Sequence, residues 1–154
     1  SAFGFASQAA QAEFQAASAG LEEEHYLAGI ELERDRWHEK ILLAELERYQ
    51  CSSEIYLFMP DHCHMIIRGL KETSDVLKVV GAFKQKTGFA LRVNHAPVKW
   101  QKDFYDHIIR GEDQLDKHIR YILENPVRKG LVNDWRSYLY KGSTTRNLDN
   151  WTDW

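Results

Sequence analysis

Cysteine is nearly absent: two residues, Cys51 and Cys63, in a chain of 154. Two thiols cannot build a disulfide framework and fit a reducing compartment. No CxxC pair occurs, which argues against a four-ligand structural zinc site. No stretch approaches about 20 consecutive apolar residues, so no transmembrane helix and no membrane partner are expected. The start of the chain shows no positive segment followed by an apolar one, so no signal peptide is expected and the location expected is the cytoplasm. Internal repeats and low-complexity linkers are missing too. What is left is an ordinary globular composition, 44 % hydrophobic and 28 % charged, long enough for one domain with a proper core.

The net charge of −3 hides an uneven distribution. Residues 1–60 hold 11 acids against 4 bases, and residues 61–154 hold 12 acids against 16 bases. The C-terminal body is therefore basic, which is compatible with a polyanionic partner and equally with a mixed solvated surface.

Residues 1–20 contain eight alanines and end at Gly20. They read as a helical lead-in or tail to a single domain over 21–154. From Leu21 to Gln50, Leu27, Ile30, Ile41, Leu42 and Leu46 make a helical apolar stripe. Glu54 to Met59 is rich in strand formers, Pro60-Asp61 is turn chemistry, and His62 to Arg68 resumes as a strand closed by Gly69. Ser74 is the expected cap of a helix through Thr87, with Leu77, Val80 and Phe83 inward and Gly88 at its end. Val98 to Ile109 reads as a short strand-like run, and Asp113 as the cap of a helix from Gln114 to about Glu124, broken or kinked by Pro126. An aromatic segment from Gly130 to Trp154 is expected to pack back on the body. This order implies an α+β sandwich, a small antiparallel sheet with helices on one face.

The stretch MPDHCHMII, Met59 to Ile67, puts two histidines inside a strand. Side chains alternate along a strand, so His62 and His64 share one face while Cys63, Met65 and Ile67 take the other. Two imidazoles about 7 Å apart at their Cα atoms can reach one metal ion. The competing reading is a pair of hydrogen-bonded structural histidines.

In the helix around DQLDKHIRYILENP, Leu115, Ile119, Ile122 and Leu123 define the buried face. Measured from Leu115, Tyr121 lies at about 240° and Asn125 at about 280°, together and away from that face. A phenol is a poor nucleophile at neutral pH, since its pKa is near 10, and a metal ion polarising a phosphodiester would help it. The Asn125 carbonyl can supply a third ligand beside the histidines. An ordinary surface tyrosine is the alternative.

MPDHCHMII resembles the HUH motif of single-tyrosine transposases. WQKDFYDHIIR (Trp100 to Arg110) and YILENPVRKGLV (Tyr121 to Val132) resemble the REP-associated tyrosine transposase branch, related to IS200-like transposases. The likeness runs from about Cys51 to Lys141, with the three motifs in the family's order. It implies a ferredoxin-like two-layer sandwich in a bacterial cytoplasmic protein. The family opens with a central strand before its first long helix. The Ala-rich segment does not read as one, and AFGFA (Ala2 to Ala6) is its only strand-like run. It implies Tyr121 as nucleophile, with His62, His64 and Asn125 on a divalent metal, Mg²⁺ or Mn²⁺. The activity implied is cleavage and rejoining of single-stranded DNA through a 5′-phosphotyrosine link, on hairpin-bearing repeats, by a monomer or a homodimer.

Lys78, Lys84, Lys86, Lys99, Lys102, Arg110 and Arg120 can neutralise backbone phosphates around such a site. Trp100, Phe104 and Tyr105 can stack on unpaired bases, or can simply be core. His107 and His118 can assist proton transfer or lie on the surface. Two other classes compete with the transposase: a non-catalytic nucleic-acid-binding protein that kept the fold, and a small hydrolase using the two histidines without metal.

Overall fold

The computed structural model describes residues 9–18, 36–59, 62–95, 98–100 and 105–151; for 9–18, 91, 92, 94, 95, 98, 99 and 105–107 it describes the backbone alone. In chain order the elements are β1 (Ala9–Ser18), α1 (Trp37–Arg48), β2 (Cys51–Phe58), β3 (His62–Gly69), α2 (Val76–His95), β4 (Val98–Trp100), β5 (Tyr105–Ile109), α3 (Glu112–Leu123), α4 (Asn125–Arg128) and β6 (Lys141–Gly142). Short 3-10 turns at Trp135–Ser137 and Leu148–Asn150 follow α4 and β6.

All strand pairs are antiparallel. β3 runs along one edge of β1, β4 and β5 share its other edge, and β2 and β6 continue the sheet beyond β3. This is the ferredoxin-like strand order, with the central strand supplied by the segment expected to be helical. Alanine's helix preference amounts to only fractions of a kcal/mol per residue, and backbone ladders on both edges override it. AFGFA, Leu27 and Ile30 lie outside the described residues.

The two runs, which read as a hairpin or a kinked pair, are antiparallel neighbours, and alternation along them splits the core in two. Tyr56 and Phe58 of β2, with Cys63, Met65 and Ile67 of β3, pack under Leu42 and Leu46 of α1 and Val79, Val80 and Phe83 of α2. Ile55, Leu57 and Ile66 point the other way, against Leu115, Ile119, Ile122 and Leu123 of α3 and against Trp135, Tyr138, Leu148 and Trp151. The pair of helices on one face is thus as expected. The opposite face carries α3 and the aromatic segment as well, so β2 is buried on both sides. Tyr138 secures that segment by donating its hydroxyl to the Phe58 carbonyl at 2.6 Å.

A register shift between Ser53 and Ile55 makes Glu54 the extra residue of a bulge. Cys51 therefore shares its face with Tyr56 rather than with Ile55. Glu54 meets Arg68 at 3.0 Å, Arg146 at 2.7 Å and the Thr145 hydroxyl at 2.8 Å, joining β2, β3 and the C-terminal segment.

Three helix boundaries differ from expectation. Asp75, not Ser74, caps α2: its carboxylate accepts from the Lys78 amide at 3.1 Å, while the Ser74 hydroxyl closes the preceding turn onto Leu70 and Lys71. α2 continues through Gly88 to His95, and Leu77 is 60 % exposed while Val79 takes the inward place. α3 begins at Glu112 behind Gly111, whose φ of 84° suits glycine. Pro126 opens α4 in its first turn, where a missing N–H has no cost. Among the described residues no helix is long and apolar enough to cross a membrane.

Candidate active site

β3 delivers His62 and His64 to the sheet face covered by α3, as alternation requires. Opposite His64 stands Leu57, a member of the same core. Both histidines are buried, and so is Asn125, which α4 brings over them. The two Nε2 atoms are 3.1 Å apart, and the Asn125 amide nitrogen lies 3.0 Å from His62 Nε2 and 3.1 Å from His64 Nε2.

Three polar atoms at these mutual distances cannot all be hydrogen-bonded to one another. Each Nε2 carries either a proton or a lone pair, and the amide edge either donates or accepts. If the amide donates to both rings, two lone pairs face each other. Turning the amide to present Oδ1 requires two ring protons that face each other instead. At most two of the three contacts are hydrogen bonds in any protonation state. A cation satisfies all three when both rings are neutral and Oδ1 points inward. The amide half-turn this needs exchanges atoms that share one envelope.

The spacing agrees with that reading. Adjacent ligands of an octahedral ion at about 2.1 Å stand about 3.0 Å apart. Burial first, then the neighbouring His62 ring and the Arg128 guanidinium, hold the His64 imidazole down at about 3. His64 is therefore neutral at physiological pH, the form that offers a lone pair to a metal. No three His, Cys, Asp or Glu side chains among the described residues converge on a metal position, so the third ligand available is the Asn125 amide. The donor set of two nitrogens and one oxygen fits a divalent ion such as Mn²⁺.

Tyr121 sits on the last full turn of α3, about one helical turn before Asn125. It is 60 % exposed, so the phenol is open to solvent. Its ring lies against the Arg128 guanidinium, 3.9 Å from Cζ to the ring centroid, and Arg128 Nη2 donates to the Tyr121 carbonyl at 2.7 Å. Arg128 was missed in the sequence. Its signal was the seven-residue spacing from Tyr121, two helical turns along one side.

The basic and aromatic residues divide across the sheet. Lys84 and Lys86 are on α2, which packs on the face away from the histidines. Lys86 reaches the buried Glu45 carboxylate. Trp100 is only 9 % exposed, packs on Phe83 and donates its indole N–H to Thr87 at 2.7 Å, so its ring is core rather than an open stacking platform. Arg110 is exposed just before α3, and Arg120 and His118 are half-buried on α3, on the histidine side. Lys102 and Phe104 lie outside the described residues, as do the side chains of Lys99, Tyr105 and His107.

A comparison with known families finds a match to Transposase IS200 like over residues 18–125. A Haemophilus influenzae protein assigned as a REP-associated tyrosine transposase is 30 % identical over 105 residues, which span 58 % of this chain and 58 % of that protein. The chain thus matches little more than half the length of that curated relative. Among solved structures, a REP-associated tyrosine transposase bound to a REP hairpin superposes with a TM-score of 0.71 at 16 % identity, covering 88 % of this chain and 76 % of the other. That likeness is one of fold. The family match takes in β3, α3 and all four residues singled out at the site, His62, His64, Tyr121 and Asn125. The chain belongs to the IS200-like transposase family.

Proposed function

We propose that this protein is a divalent-metal-dependent nuclease and strand transferase acting on single-stranded, hairpin-bearing DNA. The observation that carries the reading is the convergence of three buried residues, His62, His64 and Asn125, with three polar atoms within 3.1 Å of one another. Tyr121, one turn before Asn125 and open to solvent, is the nucleophile. Its hydroxyl oxygen bonds to phosphorus, the bond from phosphorus to the 3′ oxygen breaks, the phenol proton passes to water, and the departing 3′ oxygen takes up a proton. The product is a 5′-phosphotyrosine link and a free 3′-hydroxyl. Attack by a 3′-hydroxyl reverses the step and joins new ends, with the bond energy conserved in the link. When bound, the metal supplies positive charge that neutralises the non-bridging oxygens and orients the phosphate. His62 and His64 would hold it through ring nitrogens, and Asn125 through its carbonyl oxygen. Arg110 and Arg120 flank the same sheet face and can meet backbone phosphates. The hairpin preference follows by analogy from the relative bound to a REP hairpin.

The test incubates the protein with Mn²⁺ or Mg²⁺ and a labelled single strand carrying a hairpin. A protein–DNA band that survives SDS is expected, lost with EDTA and in Tyr121→Phe. Binding that persists without any adduct would favour a non-catalytic nucleic-acid-binding protein. Cleavage that persists in Tyr121→Phe would favour a hydrolase.

A further inference from the structure

We infer that Arg128 is a positioning residue for Tyr121, clamping the phenol ring so that its hydroxyl is aimed at the phosphate held beside His62, His64 and Asn125. The inference rests on the proposed nucleophilic role of Tyr121. Two contacts from one side chain make the clamp. The guanidinium lies flat enough on the Tyr121 ring to bring Cζ within 3.9 Å of its centroid. One of its nitrogens also reaches back to the Tyr121 carbonyl at 2.7 Å. Ring and backbone of the same residue are thereby tied to one planar group, which leaves the exposed tyrosine less rotamer freedom than an isolated surface phenol has.

The fold explains why Arg128 can do this. α3 ends at Leu123, and Pro126 starts α4 immediately, so Arg128 returns over Tyr121 two turns later. Asn125 lies between them on the same side and turns inward to the histidines.

Two measurements test this. In the metal-free protein, ring current from Tyr121 should shift the Arg128 δ-methylene protons upfield in the NMR spectrum, and Tyr121→Leu should remove the shift. In single-turnover adduct formation with Mn²⁺, Arg128→Ala should slow the reaction at least twentyfold. Hairpin-DNA affinity, measured in a Tyr121→Phe background, should change less than threefold on the same substitution. Methylguanidinium should recover part of the lost rate. Arg136→Ala, which removes a similar stack on Trp135 in the C-terminal segment, should leave the rate unchanged. An unshifted Arg128 resonance, an unaltered rate in Arg128→Ala, or a loss of affinity equal to the loss of rate overturns the inference and leaves the nucleophile reading intact. A wild-type chain that forms no Tyr121-dependent adduct overturns that reading and the inference together.

Discussion

His62 and His64 bring their Nε2 atoms to 3.1 Å across a single strand repeat, and Asn125 closes the triangle on both. Two rings at this distance repel when both present lone pairs or both present protons, and hydrogen-bond when one presents each; in no case can the one amide group satisfy every remaining pair. On the proposed reading, a cation between these atoms would satisfy all three at once.

Metal should therefore stabilise the fold. At Mn²⁺ a hundredfold above its Kd, linkage contributes about 2.7 kcal/mol, which for a chain this size raises the melting temperature by roughly 5–10 °C. His62→Ala should abolish the rise. Asn125→Ala should weaken Mn²⁺ binding at least tenfold, read from the free Mn²⁺ signal in an EPR titration. A melting temperature indifferent to Mn²⁺ in the wild-type chain would remove the case for a metal site.

Glu54 should govern much of the acid sensitivity. Burial works to raise its carboxyl. Hydrogen bonds from Arg146, Thr145 and Arg68, with the Arg146 charge, outweigh burial and bring it below the ordinary carboxylate value. The unfolded chain then takes up this proton before the folded one does. The stabilisation is complete above the unfolded value near pH 4.3 and is lost as pH falls through the folded value. Its two arginine partners are about a quarter exposed, at 26 % and 23 %, so the network lies between exposed and buried pairs in strength. Glu54→Gln should lose roughly 2 kcal/mol at pH 7. Its melting temperature should also fall less steeply than wild type below pH 5. Parallel pH profiles for the two proteins would show that this carboxylate is not the source.

Much of the site was legible because its cues are local. Strand formers on either side of Pro60-Asp61 announce the hairpin, and alternation alone puts His62 and His64 on one face. Leu115, Ile119, Ile122 and Leu123, the face drawn for α3 from a 3.6-residue period, are all buried. Nonlocal pairing decided the rest. Ala9–Ser18 is a strand because two neighbours hydrogen-bond to it, which alanine content cannot reveal. Glu54 enters a bulge, and its partner Arg146 is 92 residues away. Lys84, Lys86 and Trp100 fell near the histidines in the sequence reading. Which side of the sheet a helix covers is set by its apolar stripe, and that of α2 faces Cys63, Met65 and Ile67.

Gly142 should tolerate no side chain. It pairs with Tyr56 across β6 and β2, and a methyl group there would overlap the Tyr56 ring and hydroxyl. Tyr56 is buried and donates to Glu39 at 2.9 Å, so it cannot move aside without losing that bond. Gly142→Ala should cost about 1–3 kcal/mol by overpacking. In the double variant with Tyr56→Leu, the added cost of the alanine should shrink to under about 0.5 kcal/mol. Strictly additive losses in denaturant titrations would contradict the close approach.

Trp100 tests whether this ring could serve as a stacking platform for a base. Its indole N–H donates to the Thr87 hydroxyl at 2.7 Å, and that hydroxyl donates onward to the Phe83 carbonyl at 2.6 Å. The ring is also packed against Phe83, with centroids 6.4 Å apart. A ring so placed stabilises the fold and has no open face for a base. Trp100→Leu should lower stability by about 3 kcal/mol through the cavity and the lost hydrogen bond. At a temperature where the variant stays folded, its affinity for single-stranded DNA should remain within twofold of wild type. A stacking aromatic would instead forfeit about 1–3 kcal/mol per base, a loss of roughly five- to more than a hundredfold. Fluorescence anisotropy with a labelled strand separates the two, and a drop of tenfold or more would move Trp100 from the core to the interface.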